Sequence, residues 1–146
     1  TLEDTAEINS QHEKTTSLLG SENASLTDLC AYSLRISPDR LILGEIRSRE
    51  IIPFFLAMNT GHKGLLASIH ANSALDTLHR ATLLFKIHAH IDGISYEDAM
   101  ALIVKNIHYV IYLEQKKISQ IYHVFGQERG VPRGEIIYEN FSLKDL

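Results

Sequence analysis

Residues 40–45 read Arg-Leu-Ile-Leu-Gly-Glu, a short apolar run closed by a glycine and then a carboxylate. The run is too brief for a helix and lacks the polar alternation of a half-buried strand, so it reads as a strand buried on both faces. In an open α/β sheet, ligands bind beyond the carboxyl ends of the strands, which gives weight to a polar residue in that position. Glu45 is such a residue.

The flanks of this run fix its context. Upstream, Pro38 forces any preceding helix to stop, and Ser25 or Thr27 offers an N-cap for a short helix carrying Leu29, Cys30 and Leu34. Residues 8–25, rich in Ser, Thr, Asn and Gly, read as a loop. Thr1-Leu2-Glu3-Asp4 reads as the end of a strand entering that loop. Downstream, residues 50–59 predict a helix with Pro53 tolerated in its first turn. Residues 65–69, Leu-Leu-Ala-Ser-Ile, predict a second buried strand that ends at His70.

Further along, Ser73 is placed to cap a helix with Leu75, Leu78, Thr82 and Phe85 on one face and Asp76, Arg80 and Lys86 on the other. Ser95 caps a second amphipathic helix, with Asp98 three residues on and Tyr96, Ala99, Met100, Ile103 and Val104 at helical spacing. Residues 108–114, 118–125 and 135–141 are rich in Ile, Val, Tyr and Phe and predict an antiparallel meander. Its expected connections are a Lys116-Lys117 turn and a loop over 126–134. Strands and helices alternating to about residue 88 predict an α/β fold with parallel core strands, followed by a C-terminal helix and the meander.

The 146 residues amount to one domain, 45% hydrophobic and 22% charged, a globular balance. A formal net charge of −4 and the lack of a Lys/Arg-rich run argue against nucleic-acid binding as its main work. The longest apolar stretch, 51–58, is interrupted by Pro53 and falls short of the roughly 20 residues a membrane helix needs, so no direct membrane insertion is expected. The single cysteine, Cys30, excludes an internal disulfide and a cysteine-based metal cluster.

Three strand-end positions stand out: Glu3-Asp4, Glu45 and His70. A carboxylate there suits phosphoryl transfer, holding magnesium through water or polarising an attacking water; the plainer alternative is a solvated strand cap. His62, His70, His79, His88 and His90 offer imidazoles for zinc, but none forms an H-E-x-x-H pair, and His88 and His90 point to different sides of a helix. Serine or cysteine hydrolysis lacks a G-x-S-x-G elbow, and Cys30 falls on a helix face where thiols are usually inert.

Taken in order, TLEDTAEI (1–8), SLRISPDRLILGEIRSRE (33–50) and AMNTGHKGLLASIHANSALDTLHR (57–80) resemble the Asp box, Walker B region and His box of the secretion and pilus-assembly ATPases. These are the RecA-like hexameric motors of type II and type IV secretion and of type IV and related pili. The resemblance covers roughly the first 80 residues; the tail matches only in general character. It implies residues 1–88 as part of a RecA-like ATPase core and 89–146 as the C-terminal helix and meander of the same domain.

The resemblance also implies roles. Glu3 takes the position of the general base for the attacking water, with Asp4 in support. Glu45 takes that of the Walker B glutamate acting on Mg2+ or its water shell, and His70 that of the histidine near the γ-phosphate. Arg35, Arg40 and Arg47 occupy recurrent basic positions that contact phosphate or a neighbouring subunit, and His62 belongs to the outer part of the site. ATP and Mg2+ are the implied cofactors, and a homo-hexamer docked on inner-membrane secretion or pilus machinery is the implied assembly. The implied location is the cytoplasm, peripheral at the bacterial inner membrane.

One departure from the family pattern matters. The phosphate-binding loop G-x-x-x-x-G-K-[ST] does not occur, since the only Lys followed by Ser or Thr is Lys14, with Glu13 before it. In the family that loop precedes the Asp box, so the expectation is a C-terminal part of a longer motor, inactive by itself. The competing reading is a non-catalytic assembly or regulatory module that keeps the ATPase fold.

Overall fold

The computed structural model describes residues 1–62 and 64–140. They pack as two compact units, Thr1–His70 and the residues from Ala71 onward. The helix expected after Ser73, read with the first 88 residues, falls in the second of these units.

The first unit is built on four short parallel strands, β1 (Leu2–Glu3), β2 (Leu18–Leu19), β3 (Ile42–Leu43) and β4 (Leu66–Ala67), in the order β2-β1-β3-β4. Two helices return the chain between them, α1 (Leu26–Ser33) and α2 (Ile51–Asn59). Ser25 caps α1 in a reciprocal box with Asp28, each side chain bonding the other residue's backbone N–H. A 3-10 turn at Leu34–Ile36 and a left-handed Ser37 (φ 48°) then end the helix before Pro38. Leu2, Cys30, Leu43, Ile51, Phe54 and Ala57 form the buried interior. Pro53 is accommodated in the first turn of α2, where its missing N–H has no intrahelical partner to lose.

Two expectations are corrected here. The polar segment 8–25 is not all loop: Leu18 and Leu19 pair with Leu2 and Glu3 as β2, with Leu18 N–H donating to the Thr1 carbonyl at 2.9 Å. And β4 is not buried on both faces. Among the described residues it lies at the sheet edge, paired with β3 alone, and Leu66 remains 58% exposed.

The second unit stacks α3 (Ala74–Ala89) and α4 (Tyr96–Val104) against the sheet β5-β6-β7, formed by Tyr109–Glu114, Lys117–Glu128 and Val131–Glu139. Ser73 caps α3, and Ser95 with Asp98 boxes the start of α4. Ala74, Leu78, Met100, Val104, Val110, Tyr122 and Val124 make its core. Within that core the Thr82 hydroxyl donates to the Leu78 carbonyl at 2.8 Å, so the buried oxygen carries no desolvation penalty. The buried stripe of α3 is Ala74, Leu78, Ala81, Thr82 and Phe85; Leu75, expected on it, sits one position off and is exposed.

The meander also departs from expectation. Its first turn is Gln115-Lys116, both at positive φ (50° and 63°), as a two-residue hairpin turn requires. The segment 126–134 is not a loop: β6 and β7 pair through it and turn at Arg129-Gly130 (φ 51° and 78°). Gly126 marks a register shift rather than an end of pairing. Gly134 lies under the Tyr122 ring, where a Cβ would collide with that ring and with the His123 carbonyl. Phe141, the last residue of the expected third strand, lies outside the described residues.

Leu78 and Met100 are fully buried, so Leu78→Ala or Met100→Ala should cost about 2–5 kcal/mol in urea denaturation, whereas Leu75→Ala should change little. Equal effects at Leu75 and Leu78 would contradict this packing. Among the described residues, no helix is long and apolar enough to cross a membrane.

Candidate functional site

Because β1, β3 and β4 run parallel and in register (Leu2 beside Leu43, Leu43 beside Ala67), their carboxyl ends lie along one edge of the first unit. That edge carries Glu3-Asp4, Gly44-Glu45 and the segment from Ser68 to His70. The strand-end residues singled out in the sequence are therefore brought together.

Glu3 is only 3% exposed. Its Oε1 accepts hydrogen bonds from the Glu7 and Ile8 backbone N–H groups at 2.9 and 2.8 Å, which lock the carboxyl group in place. Among the described residues its Oε2 is buried with no hydrogen-bond partner. An unpaired buried carboxylate oxygen is costly to keep. Gly44 makes room for this group: a Cβ there would come within 3.0 Å of Glu3 Cγ and 3.2 Å of the Leu2 carbonyl. Its N–H bonds that same carbonyl at 2.7 Å.

The Glu45 carboxylate, mostly buried, is bracketed by two partners. Oε2 forms an ion pair with Arg47, and Oε1 lies 3.2 Å from His70 Nε2. The hydrogen bond to Glu45 and the charge of that carboxylate push the Arg47 pKa up, with smaller contributions from Asp4 and Glu50. Asp4 thus belongs to the same acidic surround. His70 is largely exposed.

The segment bearing Glu45 is pinned on both sides. The Ser68 hydroxyl donates to the Gly44 carbonyl at 2.5 Å, and the Ile46 N–H donates to the Ser68 carbonyl at 2.8 Å. On the other side Glu50, itself buried, accepts from the backbone N–H groups of Arg47 and of Ser48, the latter at 2.6 Å. Sequence reasoning passed over Ser68 and Glu50. A carboxylate that opens an apolar helix reads as an ordinary helix start, and nothing in the pattern shows that it folds back.

Arg35, Arg40 and His62 stand elsewhere. Arg40 precedes β3, and Gly64, two residues before β4, lies so close to it that a Cβ there would come 3.3 Å from Arg40 Cγ. Arg35 sits on the 3-10 turn after α1. His62 Nδ1 lies 3.1 Å from the Thr60 hydroxyl, in an open groove lined by Ser37, Pro38, Asp39, Thr60 and Gly61. All three precede a parallel strand in the chain, Arg35 and Arg40 before β3 and His62 before β4, whereas the carboxylates follow the strands.

The alternative chemistries find little support in the geometry. Cys30 is fully buried, and burial with the nearby Glu50 charge pushes its thiol up to about 12, leaving it protonated. His79 is committed to the Tyr96 hydroxyl at 2.6 Å. Among the described residues no three His, Cys, Asp or Glu side chains converge as a metal cage.

Comparison with known proteins places this edge in context. The family model described as "Type II/IV secretion system protein" matches residues 1–110, which include Glu3, Asp4, Glu45 and His70. The chain belongs to the type II/IV secretion system protein family. Over 79 residues it is 42% identical to the conjugal transfer protein TrbB of Rhizobium radiobacter, a match covering 54% of this chain and 24% of that protein. It is 34% identical over 92 residues to the type IV secretion system protein PtlH of Bordetella pertussis, covering 63% and 27%. A longer match, 28% over 141 residues, joins 90% of this chain to 40% of the type IV secretion system protein VirB11 of Bartonella henselae. The chain thus spans about a quarter of the first two relatives and two fifths of the third.

Among solved structures, the VirB11 ATPase from the Brucella suis type IV secretion system, in complex with sulphate, superposes with a TM-score of 0.76. That match has 24% identity and covers 83% of this chain and 38% of the other. The likeness is one of fold, and it agrees with the α/β class expected from the strand and helix alternation.

Proposed function

We propose that this chain supplies the water-activating and magnesium-facing side of the active site of an ATP-hydrolysing secretion motor. The observation that carries the proposal is the Glu3 carboxylate, clamped through one oxygen by two backbone amides, with its other oxygen buried and unpartnered among the described residues. A base held this way is oriented before substrate arrives and keeps its free oxygen for a proton. Asp4 adds negative charge beside it. Glu45 and Asp4 are the residues that would face Mg2+, which when bound neutralises phosphate charge and orders its own waters. His70, exposed and against Glu45, is positioned to register the terminal phosphate.

Arg47 alone among the three proposed arginines stands at this edge, so phosphate contact within the chain falls to it. Arg35 and Arg40, which precede β3, are assigned to a neighbouring subunit of a homo-hexamer. The proposed setting is the cytoplasmic face of the bacterial inner membrane, on secretion or pilus machinery, with no direct insertion into the bilayer and no nucleic-acid partner.

A second reading, a non-catalytic module that retains the fold, draws on one observation: the chain has no G-x-x-x-x-G-K-[ST] loop. The backbone amides and lysine of that loop are the main source of triphosphate affinity. The chain alone should accordingly show no micromolar ATP binding in calorimetric titration, and a micromolar affinity would contradict this assignment of phosphate binding. The full-length protein should hydrolyse ATP in a magnesium-dependent manner. Tight ATP binding without turnover there would favour the non-catalytic module.

A further inference from the structure

We propose that Glu50 is a positioning residue that holds Arg47 against Glu45 by accepting the backbone N–H groups of Arg47 and Ser48. The inference rests on the reading of Glu45 as a member of the nucleotide site, and it assigns a function to a residue that reading does not use.

The geometry gives Glu50 few other purposes. It occupies the N-cap position of α2, but its side chain makes no capping bond to that helix. Instead it turns back along the chain, and Oε1 meets the amides two and three residues before it. The result is a closed loop from Arg47 to Glu50. The chain just before it is tied independently to β4, through the Ser68 hydroxyl on the Gly44 carbonyl and the Ile46 N–H on the Ser68 carbonyl. Glu45 and Arg47 therefore sit between two anchors, one on each side.

A long, exposed arginine has many rotamers, and one ion pair to the mostly buried Glu45 does not by itself fix the path of its side chain. Fixing the backbone at Arg47 leaves those rotamers free but sets the point and direction from which the side chain starts, which narrows the search for the arrangement that meets the Glu45 carboxylate. The buried site of Glu50 favours this role, because a carboxylate with 7% exposure needs acceptor bonds to offset its desolvation and the two amides supply them. What matters in this account is an acceptor oxygen at the reach of a glutamate side chain.

Three substitutions in the full-length protein separate reach from charge. Glu50→Gln retains an acceptor oxygen at the same reach and should leave amide exchange over 46–50 and the ATPase kcat near wild type. Glu50→Asp keeps the charge but is one methylene shorter, and Glu50→Ala removes the acceptor. Both should speed exchange at Arg47 and Ser48, by roughly tenfold or more for alanine. Both should lower kcat, by about 10- to 100-fold for alanine, with the KM for ATP changed less than about twofold.

Glu50→Gln failing as badly as Glu50→Ala would overturn the proposal, as would unchanged exchange at residues 47 and 48 in the alanine variant. If Glu50→Ala does not fold, the Gln and Asp pair still decides, since the proposal requires Gln to be the milder change. The exchange measurement needs no nucleotide, so it tests Glu50 separately from the site. Unchanged turnover in Glu45→Gln would instead count against the site reading on which the kinetic part depends.

Discussion

Glu45→Gln in the full-length protein is expected to lower ATP turnover by about 10²- to 10³-fold while ATP affinity stays within a few-fold of wild type. The substitution removes charge and almost nothing else. Arg47 and His70 lie on separate oxygens of the carboxylate, and an amide can present its oxygen to the guanidinium and its nitrogen to a neutral imidazole. The bracket survives, so thermal stability should barely move. What is lost is the negative charge that would face Mg2+ and its water shell, which is needed more as charge develops during phosphoryl transfer than when ATP first binds. Steady-state turnover, calorimetric ATP binding and a thermal melt on the same preparation check all three parts. Unchanged turnover would remove Glu45 from the site.

The elements that could be read from sequence were those whose signals are local. Ser25 with Asp28 and Ser95 with Asp98 satisfy each other's backbone groups within four residues, so their helix starts are visible without any tertiary information. β2 was invisible because two leucines inside a polar segment carry no periodicity. The strand exists only because β1 offers the Thr1 and Glu3 carbonyls to the Leu18 and Gly20 N–H groups. β4 was recognised as a strand but not as an edge, since edge position depends on which strands lie beside it. In the meander, Gly126 and Gly134 looked like loop residues. Their real functions, a register shift and close packing under an aromatic ring, depend on the partner strand.

The site divides along the same line. Strand-end position found Glu3, Glu45 and His70 together, because parallel strands in register align their carboxyl ends. Sequence proximity misled for the arginines. Arg40 is five residues from Glu45, but it precedes β3 and Glu45 follows it, so the strand between them puts the two at opposite ends. Arg47, two residues beyond Glu45, turns back to meet it. Glu50 gave no signal because its partners are backbone amides, which every residue possesses.

Glu3 offers the sharper test, because two substitutions at one position should separate structure from chemistry. Glu3→Gln keeps an acceptor oxygen for the Glu7 and Ile8 amides, so the segment after β1 should hold its conformation and stability should fall little. Its other terminal atom becomes an NH2 group, which cannot take a proton from water. Turnover in the full-length protein should drop by about 10²- to 10⁴-fold, the usual range for loss of a positioned general base. Glu3→Ala should lose turnover to a similar degree and also strand two backbone N–H groups in a partly buried place, at about 1–3 kcal/mol each if water does not reach them. Stability near wild type for Gln and clearly reduced for Ala, with turnover collapsed in both, is the expected pattern in paired denaturation and ATPase measurements. Near-normal turnover in Glu3→Gln would mean that the buried, unpartnered oxygen is not the proton acceptor. The Glu3 carboxylate would then be a structural clamp on the segment after β1, and the attacking water would need a base elsewhere.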